Sequence, residues 1–218
     1  MNEKVLVVAV HPDDETLGCG GTLLKYKENN HEIHWLICSS IDKTNPYYEQ
    51  REKEIKRVQK YYNFDTTHQL NLKTMQIDEY SISELIQKIS NIINTIKPTI
   101  IYLPFKGDVH SDHRKIFEAT YSCTKSFRYP FIKKIYMMET LSETEFAPSH
   151  EISYTPNVFV DISKFIDKKI EIMEIYESEV ASHPFPRSIR NIKALGTIRG
   201  ATCNCEYAES FILLKSIE

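Results

Sequence analysis

Apolar residues along this chain follow two periodicities. Short continuous runs recur at Val5-Leu6-Val7-Val8-Ala9-Val10, Ile33-His34-Trp35-Leu36-Ile37-Cys38-Ser39, Thr99-Ile100-Ile101-Tyr102-Leu103, Ile135-Tyr136-Met137-Met138 and Val158-Phe159-Val160-Asp161. Runs of this length predict strands, and those lacking apolar/polar alternation predict strands buried on both faces. A further short strand is expected near His68 to Leu72. Helical spacing appears in between. Residues Ile82, Leu85, Ile86, Ile89, Ile92, Ile93 and Ile96 form one stripe, which Pro98 closes. A charged helix is predicted from about Tyr48 to Tyr62, another from Arg114 to Cys123, and a long one from Ile162 to about Val180 with Ile166, Ile170, Met173 and Ile175 as its core stripe. Strands alternating with helices predict an α/β domain with a mostly parallel sheet.

Chemistry-bearing residues cluster where two of these strands end. The first strand runs into His11-Pro12-Asp13-Asp14-Glu15, followed by the helix opening Thr16-Leu17-Gly18-Cys19-Gly20-Gly21-Thr22-Leu23-Leu24. The Thr99–Leu103 strand leads to His110-Ser111-Asp112-His113. Open α/β sheets bind ligands outside the carboxyl ends of their strands, so both clusters belong on one rim. His11 and Asp14 span a tight strand-to-helix turn and can face one ion, with His113 completing a His-Asp-His set. Three protein ligands with an open position mark a catalytic zinc site, where water is acidified to a pKa of about 7. Asp13 then suits a general base. His110 suits a donor to the oxyanion or leaving amine, with Asp112 holding its other ring nitrogen. For either segment alone a plainer reading stands, since Asp13, Asp14 and Glu15 are also favourable acids at a helix start. The two clusters together are hard to explain as a solvated face.

Other features admit two readings. Arg51 and Glu54 have the spacing of a surface ion pair. Arg187, Arg190 and Lys193 recur every third residue, followed by Arg199. If the segment from Ser188 is helical, they form either a solvated face or a basic strip over the rim that grips a phosphate-bearing substrate. Glu139-Thr140 either lines the substrate pocket or packs at a strand edge. His150 and His183 read as surface residues. The glycines Gly18, Gly20 and Gly21 lack dinucleotide-binding spacing and fit close helix-to-sheet packing.

A length of 218 residues suits one domain over residues 1–218, and a net charge of −3 gives no pull toward nucleic acid. The five cysteines, Cys19, Cys38, Cys123, Cys203 and Cys205, are odd in number and irregularly spaced, which argues against a disulfide framework. Cys203-x-Cys205 has no second cysteine pair to make a metal site. No apolar run is long enough for a membrane span and no signal-peptide layout is visible, so a cytoplasmic setting without membrane insertion is expected. The sequence is compatible with a homo-oligomer.

At these motifs the chain resembles the PIG-L/LmbE-like zinc-dependent N-acetylglucosaminyl deacetylases. Their pattern is a strand, His-Pro-Asp-Asp-Glu, a Gly-Gly-Thr-Leu helix and later Asp-x-His-x-Asp-His. The chain matches it at His11 to Glu15, Gly20 to Leu23 and Asp108 to His113, and also over Arg199-Gly200 through Ala208-Glu209-Ser210-Phe211. The resemblance implies a Rossmann-like three-layer sandwich with its site at the carboxyl edge of the strands. It implies that His11, Asp14 and His113 bind Zn2+, or another divalent ion such as Fe2+. Asp13 is then the base, His110 with Asp112 assists the leaving group and oxyanion, and Arg51 stands where the family resemblance implies a substrate contact. The implied substrate is an acetamido sugar of N-acetylglucosamine type, free or nucleotide- or phospho-linked, in glycan or thiol-conjugate biosynthesis. Two alternatives stand beside it. A non-haem iron oxygenase also uses two His and one carboxylate, but would not require Asp13, His110 and Asp112. A catalytically inert, metal-dependent sugar-binding module leaves the base unexplained.

Overall fold

The computed structural model describes residues 2–148 and 152–218, so His150 lies outside the described residues. Its centre is a seven-stranded sheet in the order β3-β2-β1-β4-β5-β7-β6. The strands are β1 (Lys4–Ala9), β2 (Glu32–Ser40), β3 (Thr66–Lys73), β4 (Ile100–Pro104), β5 (Lys134–Met138), β6 (Val158–Asp161) and β7 (Ala208–Ser216). The first five pair in parallel, and β7 lies antiparallel between β5 and β6. This is the mostly parallel α/β sandwich expected.

The apolar character of β1 follows from its place in the middle. Val5, Val7 and Ala9 pack with α1 (Asp14–Glu28), α2 (Tyr48–Tyr62) and α5 (Ile166–Met173) on one face. Leu6, Val8 and Val10 pack with α3 (Ile82–Ile96) and α4 (Ser111–Ser122) on the other. All six are fully buried. Outward crossovers from β1 to β2 to β3 use α1 and α2, and the return through β4 to β5 uses α3 and α4 on the opposite face. The β1–β4 boundary is therefore the switch point where a crevice opens at the strands' carboxyl ends.

The first helix is broken. Cys19 has non-helical dihedrals (φ −148°, ψ 23°), so α1 consists of a short segment carrying Asp14 and a second one starting near Gly20. A break orphans carbonyls before it and N–H groups after it. Lys169 Nζ donates to the Leu17 carbonyl (2.8 Å) and to Glu209 Oε1 (2.7 Å), while the Glu209 carboxylate accepts the N–H groups of Gly21 (2.8 Å) and Thr22 (2.7 Å). Elements from the far end of the chain thus satisfy both sides of the break. The glycines are packing glycines, as expected. A Cβ on Gly21 would lie 2.7 Å from Ile162 Cβ, one on Gly20 2.5 Å from Tyr62 Oη, and one on Gly18 2.6 Å from Met138 Sδ.

Several expectations need correction. The long helix from Ile162 to Val180 is only α5, with turns on both sides. After Met173 the chain turns so that buried Tyr176 can donate to Glu15 Oε1 (2.8 Å) and Glu179 can reach the site, which a continuous helix would prevent. The helix carrying His113 begins earlier, at Ser111, with His110 as its N-cap. The segment from Ser188 is helical, as α6 (Ile189–Cys203) with Ser188 capping Asn191 N. Strand β7 was not read from sequence. All five cysteines are free, and the Cys203 and Cys205 Sγ atoms lie 3.4 Å apart after α6. Among the described residues no helix is long and apolar enough to cross a membrane.

Candidate metal centre and active site

The turn after β1 aims three side chains in different directions. Asp14 Oδ2 accepts the backbone N–H groups of Val10 and His11, each at 2.8 Å, which pins its carboxylate under the strand end. Asp13 has φ 134°, a left-handed value that ordinary side chains disfavour, and it points elsewhere. From the neighbouring β4, the loop to α4 delivers His113, fully buried in the first helical turn.

The atoms His11 Nδ1, Asp14 Oδ2 and His113 Nε2 form a compact triangle with sides of 3.9, 3.5 and 3.4 Å. Ligands about 2.1 Å from a tetrahedral ion stand roughly 3.4 Å apart, so this donor set fits zinc or a similar divalent cation. Each imidazole is backed by a carboxylate. Asp108 Oδ2 hydrogen-bonds His113 Nδ1 at 2.9 Å, whereas Asp112 Oδ2 lies 3.5 Å from His11 Nε2, which makes no hydrogen bond among the described residues. Such pairs orient a metal-binding ring and raise its basicity. Electrostatics agree: burial opposes charge on His113, yet Asp14 and Asp108 outweigh it and push its pKa up to about 9. A position that holds a proton this firmly also attracts a cation. A second grouping, His11 with His110 and Asp112, is looser, its ligand atoms lying only within 4.8 Å of one another.

Asp112 does not hold the His110 ring through its carboxylate, contrary to the sequence reading. That carboxylate accepts Met75 N (2.8 Å) and Ile77 N (3.3 Å) and faces His11. Its backbone N–H donates instead to His110 Nδ1 (3.1 Å). The outcome for His110 is similar, because an Nδ1 that accepts leaves Nε2 as the donor. Burial, with His11 and His113 nearby, lowers the His110 pKa and keeps the ring neutral. Asp13 is shifted the opposite way. Burial raises it, Asp14 and Glu179 raise it further, and Arg187, with Nε 3.9 Å from Oδ2, opposes them. A carboxylate raised in this way suits proton abstraction near neutrality.

His11, Asp13, Asp14 and His110 line a cleft of about 250 Å³, together with Arg51, Thr140, Glu143, Glu179 and Arg187. Arg51 pairs with Glu54 (Nε to Oε2, 3.4 Å), as its spacing suggested, and also reaches Glu179, Ser178 Oγ (2.9 Å) and the Pro12 carbonyl (3.3 Å). Arg187 donates to the Glu179 carbonyl and carboxylate, each at 2.9 Å, and to Ser142 Oγ (2.7 Å). The expected basic strip does not form. Arg187 precedes the Ser188 cap and turns into the cleft, whereas Arg190 lines a separate depression with His183, Lys193 pairs with Asp167 (3.3 Å) and Arg199 with Glu139 (2.9 Å). Of Glu139-Thr140, only Thr140 lines the cleft. Asp108, Glu143 and Glu179 had been given no role from sequence. Asp108 lies within the second motif, but the other two sit in loops with no local signal.

Comparison with known proteins decides the family. The profile described as "PIG-L: GlcNAc-PI de-N-acetylase" matches residues 6–124, more than half of the chain, including His11 to Glu15 and Asp108 to His113. The chain belongs to this family. Among its relatives, a probable N-acetyl-alpha-D-glucosaminyl L-malate deacetylase 2 of Bacillus anthracis is 26% identical over 196 residues, spanning 83% of this chain and 84% of that protein. The diacetylchitobiose deacetylase of Thermococcus kodakarensis is 22% identical, spanning 99% and 84%. Among solved structures, the conserved protein TT1542 of Thermus thermophilus superposes with a TM-score of 0.80 at 23% identity, spanning 99% of this chain and 96% of that one, which establishes the shared fold.

Proposed function

We propose that this member of the de-N-acetylase family is a divalent-metal-dependent hydrolase that removes the N-acetyl group from an acetamido sugar. The observation that carries the reading is the His11–Asp14–His113 triangle beside Asp13, a carboxylate outside that ligand set; His11, Asp13 and Asp14 line one cleft, with His113 buried behind them. A divalent ion, with zinc the best match to two imidazoles and one carboxylate, supplies Lewis acidity that polarises the amide carbonyl and acidifies water. Asp13 accepts the proton of the attacking water. His110 Nε2–H hydrogen-bonds the developing oxyanion, and the proton held by Asp13 passes to the departing nitrogen, leaving acetate and a free amine. Asp108 and Asp112 keep the two ligand rings turned correctly. Deacetylation of acetamido sugars by relatives of similar length supports the substrate class.

The test is acetate release from a panel of N-acetylated sugars, free and nucleotide-linked, by metal-loaded protein. Asp13→Asn should keep its metal and lose about 10²–10⁴-fold in rate, the usual worth of a general base. Alanine at His11, Asp14 or His113 should lower metal content and activity together. Full metal content in all three variants would refute the ligand assignment. Sugar binding with no acetate release by the well-metallated wild type would favour the inert sugar-binding module.

A further inference from the structure

Most charged groups on the cleft wall are matched. Arg51 directs Nε to Glu54, Nη2 to Ser178 and Glu179, and Nη1 to the Pro12 carbonyl. No adjacent pair of its N–H groups is left for a bidentate grip on phosphate. Arg187 is likewise engaged by Glu179 and Ser142. Glu143 differs. It is half-buried and lines the cleft, yet its carboxylate has no hydrogen-bond or ion-pair partner among the described residues.

Its backbone is nonetheless held from several sides. Glu143 N donates to the Thr140 carbonyl (3.1 Å), and its own carbonyl accepts Val109 N (3.3 Å) from the loop that carries His110. The next residue, Thr144, donates its hydroxyl to Asp108 Oδ1 (2.7 Å), and that hydroxyl accepts Thr140 N (2.9 Å). The preceding residue, Ser142, accepts Arg187 Nη1. One carboxylate, Asp108, therefore orients both His113 and the turn bearing Glu143. The side chain is presented from this braced turn into the cleft, where its oxygens have no partner among the described residues.

Burial raises the Glu143 pKa, with Asp14 and Asp108 adding to the shift and His113 and His11 opposing it; once ionised, the carboxylate only accepts hydrogen bonds, with room for several donors. Vicinal hydroxyls of a sugar ring supply such donors, whereas a substrate phosphate or carboxylate at that place would meet like charge. We propose that Glu143 sets the charge class of the substrate: it receives hydroxyl groups of a neutral acetamido sugar and disfavours acetamido sugars with an anionic group near the reacting amide. The inference rests on the deacetylase reading and narrows its substrate.

The experiment compares metal-loaded wild type, Glu143→Gln and Glu143→Ala on methyl N-acetylglucosaminide and on N-acetylglucosamine 1-phosphate, whose phosphate neighbours the acetamide-bearing carbon, with kcat and KM from acetate release and metal content measured for each. Wild type should favour the neutral sugar. Both variants should retain metal and raise KM for the neutral sugar by about tenfold or more with a smaller change in kcat, as loss of hydrogen bonds to a charged group predicts. Their kcat/KM on the phosphorylated sugar should rise, so that the preference collapses. Equal losses on both sugars, an unchanged ratio, or a wild type that prefers the phosphorylated sugar would overturn the role of Glu143. Absence of acetate from every arm would instead overturn the deacetylase reading, and this inference with it.

Discussion

Replacing Asp13 by alanine and by glycine separates two properties that this residue combines. Both changes remove the carboxylate, but only glycine tolerates the φ of 134°. At an ordinary position glycine is less stable than alanine by about 0.5–1 kcal/mol, because the unfolded chain gains freedom. A side-chain-bearing residue held in a sparsely populated left-handed conformation costs about 1–3 kcal/mol. The second effect exceeds the first, so Asp13→Gly should be more stable than Asp13→Ala by about 0.5–2 kcal/mol, reversing the usual order. For a chain of 218 residues this is a difference of roughly 1–8 °C in melting temperature. The measurement is thermal unfolding of both variants in excess chelator, so that unequal metal affinity does not enter. Both should be almost inactive in acetate release. An alanine variant as stable as the glycine variant, or more so, would show that the turn at Asp13 stores no strain, and that its geometry is not held against a backbone preference.

Two further perturbations test the surroundings. Asp108→Asn weakens the support behind His113 and should lower metal affinity by about 10–100-fold in a chelator competition, whereas unchanged affinity would mean that burial alone orients the ring. Gly21→Ala places a Cβ 2.7 Å from both Cβ and Cγ2 of Ile162 and should destabilise by about 1–3 kcal/mol in denaturant unfolding. Gly196→Ala in α6, with its nearest contact at 3.3 Å from Tyr207 Cδ1, should be neutral or stabilising by up to about 1 kcal/mol. Similar effects of the two glycine changes would refute the packing argument.

What the sequence showed depended on how local the cause was. The β1 run and the His11–Glu15 turn were legible because a strand buried on both faces must be apolar throughout and its end must be chemically distinct. The carboxylate of Asp112 was not, since its partners Met75 N and Ile77 N come from another loop and backbone donors leave no mark on sequence. The i,i+3 spacing of Arg187, Arg190 and Lys193 suggested a shared face, but Ser188 starts the helix, so Arg187 lies outside the periodicity. The apolar stripe after Ile162 described burial correctly and length incorrectly, because a buried turn around Tyr176 keeps apolar residues inside just as a helix does. Strand β7 opens with Ala208-Glu209-Ser210, and Glu209 is polar for a reason that lies some 188 residues away in the broken first helix.

That long reach sets an order on the birth of the protein. A nascent chain leaves the ribosome from its amino end at about 5–20 residues per second. His11 and Asp14 emerge well before Lys169 and Glu209, and the helix behind them has open peptide groups around Cys19 until those two residues have been made. His113 also emerges well before either brace. A partly synthesised chain therefore holds His11, Asp14 and His113 without the frame that fixes them, and emergence of β7 converts a collection of side chains into a shaped site. Chains stalled or truncated before Glu209 should differ from complete ones most clearly in the amide exchange of Gly21 and Thr22, at the opposite end of the sequence from the missing residues.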